Sequence, residues 1–326
     1  MTNVSVIMAV RNSEDYVSQS IESVLNQTYK KFEFIIVDDC SNDKTQDILR
    51  SYQKNDKRIK IVKNKIKLGP AASRNIAINL SKGRWISIID SDDIFFPKKI
   101  EAQLNFVNKN KETIFVGSSL LFINENGSHI AYYKYKNNFK KIKSEILKNK
   151  SFPPHSSYFI NKKYLKKISG YNSRFSMAPD YDLLLRLQNF KKKNFAVCAE
   201  ILTKVRLHSR NRSLKKINNY TQLDYAILAN ICFHINKTLN INPAEILNDK
   251  DWDKFKIIFK NFLIQSNYYK FLVKKLKFKK EKKITEYLKY FLNLNFIRSL
   301  FIGHILPKSS RNEFILIYKK SFLRSK

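Results

Sequence analysis

The chain has 326 residues, 43% hydrophobic and 13% aromatic with only 6 glycines and 7 prolines, which excludes a disordered polymer and fits one large domain or one domain with an attachment. Its 62 lysines and arginines against 27 acidic residues give a formal charge of +35, which attracts polyanions without naming one: nucleic acid, an anionic leaflet and phosphate-bearing small molecules stay open, as does biased codon usage. Three widely spaced cysteines, Cys40, Cys198 and Cys232, argue against a disulfide framework or a zinc cluster.

Val4 to Val10 is β-branched and apolar, as in a buried strand, and a helix is expected from near Ser13 with Val17, Ile21, Val24 and Leu25 at helical spacing. Phe32 to Val37 reads as a second strand, ending in Asp38-Asp39. Ser41-Asn42-Asp43 caps a helix carrying Ile48, Leu49 and Tyr52, and Ile59 to Val62 gives a third strand. Gly69-Pro70 opens another helix, with Ala72, Ile76 and Leu80 as its expected apolar stripe. Trp85 to Ile89 is a short apolar strand running into Asp90-Ser91-Asp92-Asp93, after which Pro97 opens a helix with Ile100, Leu104 and Val107 in register. This alternation predicts an α/β fold, a mainly parallel doubly wound sheet with helices on both faces. Ligands bind such sheets outside the carboxyl ends of the strands, where Asn12, Asp39 and Asp90 fall.

From Phe115 to Tyr135 two β-rich runs flank Asn124-Glu125-Asn126-Gly127, whose Asn-Gly pair predicts a hairpin. A helix starting at Asp180 presents Leu184 and Leu187 and leads to a strand from Phe195 to Arg206. Beyond Ser213, lysine-rich segments with Phe, Tyr, Leu and Ile at helical spacing replace the strand signals. The predicted boundary is near Leu214, dividing an α/β domain, 1–213, from a basic, aromatic-rich helical extension, 214–326. No leader with a cleavable apolar segment follows Met1. No stretch reaches the ~18 to 20 apolar residues of a bilayer crossing, Arg298 interrupting the run from Phe291 to Leu306. The expectation is a cytoplasmic chain, peripheral on the inner face of the membrane. Amphipathic runs at Phe255 to Leu263 and Tyr268 to Phe278 make an anionic membrane surface a candidate partner, with ordinary packing on the first domain as the alternative.

Asp90, Asp92 and Asp93 put three carboxylates into four residues, which repel one another unless a cation or hydrogen bonds compensate. A divalent ion bridging them to a diphosphate would do so; a plain turn and helix cap is the rival reading. Asp38-Asp39 can accept hydrogen bonds from a base or ribose, or cap a loop. Arg74, one turn into its helix, is placed to hold phosphate oxygens. Asp180 reads as an N-cap or as a carboxylate with a duty separate from Asp90, and His208 can ligate a metal through a neutral nitrogen.

Four blocks arrive in order: Val4 to Asn12 followed by Ser23 to Thr28, Ile35 to Thr45, Gly69-Pro70-Ala71-Ala72-Ser73-Arg74-Asn75, and Asp90-Ser91-Asp92-Asp93. Over about the first 213 residues the chain resembles the family 2 glycosyltransferases, inverting enzymes with the GT-A fold. The resemblance implies a nucleoside diphosphate sugar donor, UDP-linked, touched by Val10, Asn12, Asp39, Arg74, Asp90 and Ser91, with Asp39 at the base, Arg74 at the nucleotide or its phosphates and Asp90 on the ribose side. It implies Mg²⁺ or Mn²⁺ at Asp92, with His208 joining the metal or diphosphate site, and Asp180 as the base acting on a hydroxyl of a glycan or lipid-linked glycan. Gly170-Tyr171 and Pro153 to Ser157 fall where the family has acceptor contacts, though a turn explains them equally well. Pro179 replaces the first carboxylate of the family's late acidic pair, and Cys40 stands where glycine is common. Two rival classes stay open. A metal-dependent nucleotidyltransferase would need no base at Asp180. A non-catalytic nucleic-acid-binding protein would rest on charge alone, with no recognition motif beside it.

Overall fold

The computed structural model describes residues 3–135, 139–147, 153–211, 220–240 and 242–265. Two compact units divide the chain, 1–222 and 223–326.

The first unit opens with β1 (Val4–Val10), α1 (Val17–Leu25), β2 (Phe32–Asp38), α2 (Thr45–Asn55), β3 (Ile59–Lys63), α3 (Pro70–Leu80) and β4 (Trp85–Ile88). The strands lie in the order β3-β2-β1-β4, every neighbour parallel. Side chains alternate across a pleated strand, so each strand feeds two cores. Val4, Val6 and Met8 with Phe34 and Ile36 pack against Val17, Ile21 and Val24 of α1 and against Ile100, Leu104 and Val107 of α4 (Lys99–Lys109). The intervening Ile7, Ile35 and Ile88 are fully buried on the other face, which α3 covers.

Two local expectations fail here. The first helix starts at Val17 rather than near Ser13. The Ser13 N–H donates to Thr45 Oγ1 (2.8 Å), Asn12 is left-handed at φ 48°, and residues 13–16 form a turn whose Ser13 carbonyl receives the Val17 N–H. In α3 the buried positions are Ala71, Ser73, Arg74, Ala77 and Ile78, while Leu80 is exposed. The helix is turned so that small residues meet the sheet and a cation faces the strand ends, against the phase suggested by Ala72, Ile76 and Leu80.

The rest of the unit adds β5 (Ile94–Phe95), β6 (Thr113–Ile123), β7 (His129–Tyr133), β8 (Phe159–Asn161) and β9 (Asn194–Arg206), with α5 (Phe139–Leu147), α6 (Lys162–Lys167) and α7 (Pro179–Leu187). The sheet continues β4-β8-β6-β9-β5. β8 is antiparallel to both neighbours and β6 and β9 are parallel. The predicted hairpin is β6–β7, antiparallel, turned at Gly127 with φ 85°. β5, β8, α5 and α6 were not foreseen: they are short, and β8 in particular is three residues buried on all sides. The result is a GT-A type α/β fold, as expected.

One buried charge belongs to this core. Lys99, fully buried at the start of α4, donates to Ser87 Oγ (3.0 Å) and Gln103 Oε1 (2.9 Å) and lies 4.0 Å from the centre of the Phe95 ring. Burial brings its pKa down to about 7, with only the Cys198 thiol acting in the opposite sense.

The second unit is helical where it is described, beginning within α8 (Gln222–Leu239) and continuing through α9 (Pro243–Ile246) and α10 (Asp249–Gln265). The amphipathic run from Phe255 falls on α10, where Phe255 is buried and stacked on Trp252 at 5.5 Å. Leu214, the Tyr268 to Phe278 run and the Phe291 to Leu306 run lie outside the described residues. Among the described residues no helix is long and apolar enough to cross a membrane.

Candidate active site

The predicted site residues gather beyond the carboxyl ends of β1, β2 and β4, with help from the ends of β9 and the start of α7. The loop after β2 is set by two carboxylates with different roles. Asp38, fully buried, accepts from Ser41 N, Ser41 Oγ and Gln46 Nε2, so it organises its own loop. Asp39, also buried, accepts from Asn64 Nδ2 and the Leu68 and Gly69 N–H groups, each at 2.8 Å. Burial opposes its ionisation, but those donors and Arg11 hold its carboxyl below the usual range. Asp39 thereby fixes the entry to α3, and with three acceptor positions filled it keeps one lone pair for a ligand.

Val10 and Asn12 stand beside it. The Val10 carbonyl receives the Asp39 N–H (2.9 Å), and the Asn12 side-chain oxygen receives the Asn42 N–H (3.0 Å). Asn12 therefore latches the loop after β1 to the loop after β2. The Ser91 carbonyl accepts from Ser13 Oγ (3.3 Å) and Ser20 Oγ (2.9 Å), tying the acidic loop to the chain ahead of and within α1.

Each acidic-loop carboxylate has its own partner. Asp90 pairs with Arg74 Nη2 at 2.6 Å and with His155 Nδ1 at 3.0 Å. Burial disfavours its charge, yet His155 and Arg74 outweigh burial and hold the carboxyl far below its ordinary value. Asp92 lies 3.0 Å from His208 Nε2 and accepts from Asn211 Nδ2 at 3.3 Å. Asp93, deepest of the three, accepts from Ser156 Oγ and the Arg206 N–H; burial, then the charges of Asp92 and Asp90, push its carboxyl well above the usual range. Arg206 reaches the Asp92 carbonyl (3.0 Å) and Gln19 Oε1 (2.7 Å), so it braces the loop's backbone.

Asp180 is neither the N-cap nor paired. Ala178 is the N-cap of α7 and Pro179 its first residue, which puts Asp180 in the first turn, half-buried, where the helix dipole favours an anion. Among the described residues no hydrogen bond or ion pair engages its carboxylate. Its charge nonetheless bears on Arg74, Tyr158 and Tyr171, the same side chains on which Asp90 bears.

Sequence reasoning left His155 and Tyr171 outside the catalytic set, and the structure places His155 against Asp90 and Tyr171 against His155. His155 sits in a single 3₁₀ turn, His155–Ser157, with Nε2 2.7 Å from Tyr171 Oη. The chain of contacts Arg74–Asp90–His155–Tyr171 links α3 and the acidic loop to the turn at Gly170. Tyr171 is fixed in turn by Asn75, whose side chain accepts from Tyr171 N and donates to Tyr171 O, each at 2.8 Å. A Cβ at Gly170, left-handed at φ 67°, would lie 2.3 Å from Asn75 Oδ1, so only glycine fits. The buried pair Arg186–Asp182 (2.6 Å) anchors the same turn through Arg186 Nη2 to the Gly170 carbonyl (2.8 Å). The usable sequence signal was the place of Gly170-Tyr171 and of the Pro153 to Ser157 loop, which holds His155, in the region where the resemblance puts acceptor contacts.

Among the described residues no three His, Cys, Asp or Glu side chains converge into a protein-only metal cage. Asp92 and His208 fit a different arrangement. His208 Nε2 and Asp92 Oδ2 are in direct contact at 3.0 Å, and among the described residues the buried His208 Nδ1 has no hydrogen-bond partner. Such a pair suits a divalent ion that completes its shell with ligand oxygens, the habit of Mg²⁺ with phosphates.

A mostly parallel sheet with an acidic loop past its fourth strand is the arrangement of a GT-A fold. The sequence profile of "Glycosyl transferase family 2" matches residues 5–169, and the chain belongs to that family. It is a glycosyltransferase. It is 39% identical over 229 residues to an uncharacterized glycosyltransferase of Methanocaldococcus jannaschii, covering 69% of this chain and 78% of that protein. The O-antigen biosynthesis glycosyltransferase WbnJ of Escherichia coli is 34% identical over 232 residues, 69% of this chain and 87% of that one. Among solved structures, S. aureus TarS 1–349 in complex with UDP-GlcNAc is similar in fold at a TM-score of 0.60 and 18% identity, covering 98% of this chain and 88% of that chain.

Proposed function

We propose that the enzyme transfers a sugar from a nucleoside diphosphate sugar, UDP-linked, to a hydroxyl of a glycan or lipid-linked glycan with inversion at the anomeric carbon. The observation carrying this reading is the unpaired Asp180 carboxylate acting on the same Arg74, Tyr158 and Tyr171 as Asp90. Asp180 takes the proton of the acceptor hydroxyl as that oxygen attacks the anomeric carbon opposite the diphosphate, and the nucleoside diphosphate leaves in the same displacement. Arg74, held by Asp90, keeps positive charge beside the reacting centre, while Asp39 and the α3 entry it organises receive the base. Asp92 and His208 hold Mg²⁺ or Mn²⁺, which when bound offsets charge on the departing diphosphate.

The UDP assignment is supported by the TarS complex, and a polysaccharide acceptor by the relative named for O-antigen biosynthesis. In this reading residues 1–213 are catalytic and 214–326 are an accessory region that either packs on the catalytic domain or meets an anionic membrane face. The test is a panel of nucleotide sugars assayed for metal-dependent hydrolysis. Release of nucleoside diphosphate from a UDP sugar supports the proposal; release of inorganic pyrophosphate instead would make the enzyme a nucleotidyltransferase.

A further inference from the structure

A concave site lies at the other end of the strands, away from the acidic loop. It is a cleft of about 560 Å³, within the roughly 300–1,000 Å³ of ordinary small-ligand sites. Lys82 and Arg84 enter it from the segment ahead of β4, and Lys111 from the segment ahead of β6. Lys162, Lys163 and Lys166 of α6 line another wall, and Lys193, just before β9, completes it. Arg84 and Asp90 bracket β4, so about six extended residues, roughly 20 Å, separate this cleft from the acidic loop.

The cleft holds more positive charge than its own carboxylates neutralise. Glu112 pairs with Lys193 at 2.5 Å, and Glu33 accepts from Ser5 Oγ and the Lys82 N–H, each at 2.5 Å. Lys162 donates to the Ser81 carbonyl. Burial first, then Lys166, lowers its proton affinity, with Glu33 acting in the opposite sense. Among the described residues Lys82, Arg84, Lys111, Lys163 and Lys166 make no ion pair. Gathering like charges in a concave wall is unfavourable unless an anion offsets them, and concavity focuses their field on whatever enters.

An independent observation marks the floor. Thr113 lines the cleft and is 2% exposed, and among the described residues its hydroxyl has no hydrogen-bond partner. A buried hydroxyl without a partner is costly, and a ligand oxygen at this point would satisfy it. Ammonium groups act as compact point charges that suit phosphate oxygens, and lysine outnumbers arginine here.

We propose that this cleft, remote from the donor site, binds a ligand bearing several closely spaced phosphates, with the lysines neutralising charge and Thr113 donating to one oxygen.

The test uses the full chain and tripolyphosphate as the probe, by calorimetry, with four variants checked for folding by circular dichroism. The double variant Lys163→Glu/Lys166→Glu should raise the dissociation constant at least about tenfold, the scale of lost charge-assisted hydrogen bonds. Thr113→Val should weaken binding by a few fold. Arg74→Ala, in the donor site, and the double variant Lys54→Glu/Lys57→Glu, on and beside α2, should leave it unchanged. Equal losses from both lysine doubles would reduce the effect to net charge and overturn the proposal, as would loss in Arg74→Ala with retention in the cleft variants. Competition by phosphatidylglycerol vesicles would assign the phosphates to lipid headgroups. Failure to compete would assign them to a soluble or glycan-borne source, and either result upholds the site.

Discussion

Asp90 and Asp180 act on one group of side chains. Asp90 is bonded directly to Arg74 at 2.6 Å, whereas Asp180 reaches Arg74, Tyr158 and Tyr171 only through its field. Burial raises the proton affinity of both tyrosines and the two carboxylates raise it further, so both phenols hold their protons. The division of labour follows from the pairing. A carboxylate locked to an arginine and a histidine is a fixed electrostatic element, and one without a partner is free to take a proton.

Asp180→Asn should therefore abolish turnover while preserving the donor pocket. The expected loss in kcat is about 10²- to 10⁴-fold, the range for removing a general base, with little change in donor affinity. Steady-state transfer together with donor titration by calorimetry separates the two quantities. Transfer near the normal rate would remove Asp180 from the mechanism.

Tyr171→Phe deletes the hydroxyl 2.7 Å from His155 Nε2 without opening a cavity. His155 then keeps only Asp90 to orient it. The expected cost is about 1 kcal/mol, one neutral hydrogen bond, read mainly as a several-fold higher donor KM with kcat nearly intact. Equal falls in kcat and kcat/KM would instead mean that the tyrosine contributes only in the transition state.

The metal site proposed at Asp92 and His208 makes its own forecast. Chelation should stop transfer and added Mg²⁺ or Mn²⁺ should restore it, because among the described residues no protein-only cage would retain the ion. Asp92→Asn should raise the metal concentration giving half-maximal activity by more than His208→Ala does, since it removes charge as well as a ligand. Full activity in the presence of chelator would reassign both residues to bracing the acidic loop.

The strand–helix alternation from Val4 to Asp93 was legible because its strands are apolar runs and its helices are periodic and preceded by polar caps or Gly-Pro. The acidic loop was legible for the same reason, since an apolar strand ran straight into it. The His155 and Tyr171 contributions were not. They depend on β8, three residues long, bringing the 3₁₀ turn beside β4 in antiparallel register, and nothing in a three-residue run such as Phe159-Ile160-Asn161 announces its neighbour. The helix phase of α3 was misread because its sheet-facing positions are Ala and Ser rather than large apolar residues. For Asp180 the N-cap reading fails because Ala178 is the cap, and its role as a base is a proposal.

Cys40 explains one departure from the family pattern. Its backbone is left-handed at φ 59°, a conformation glycine adopts freely and other residues reach at a cost of about 1–2 kcal/mol. Its Sγ contact with the Asn64 carbonyl (3.2 Å) offsets part of that cost. Cys40→Gly should raise stability to urea by about 0.5–1 kcal/mol, the strain relief less the added freedom of the unfolded chain. A loss of stability would show that the sulfur contact outweighs the strain.

Lys99 sets a pH dependence of stability separate from catalysis. Its pKa is about 7 in the folded chain against 10.5 for an unperturbed lysine, so between those values the unfolded state binds the extra proton. Stability from this group is fully present above the unfolded value, falls as pH drops through the window from 10.5 to 7, and levels off below it. The slope inside the window approaches about 1.4 kcal/mol per pH unit, so the chain should gain about 2 kcal/mol from this residue between roughly pH 7 and 9. Lys99→Met loses the bonds to Ser87 and Gln103 but also the titrating group. Its stability relative to the natural chain, followed by urea unfolding at both pH values, should therefore be more favourable at the lower one, and a difference independent of pH would mean that Lys99 keeps its proton in the core.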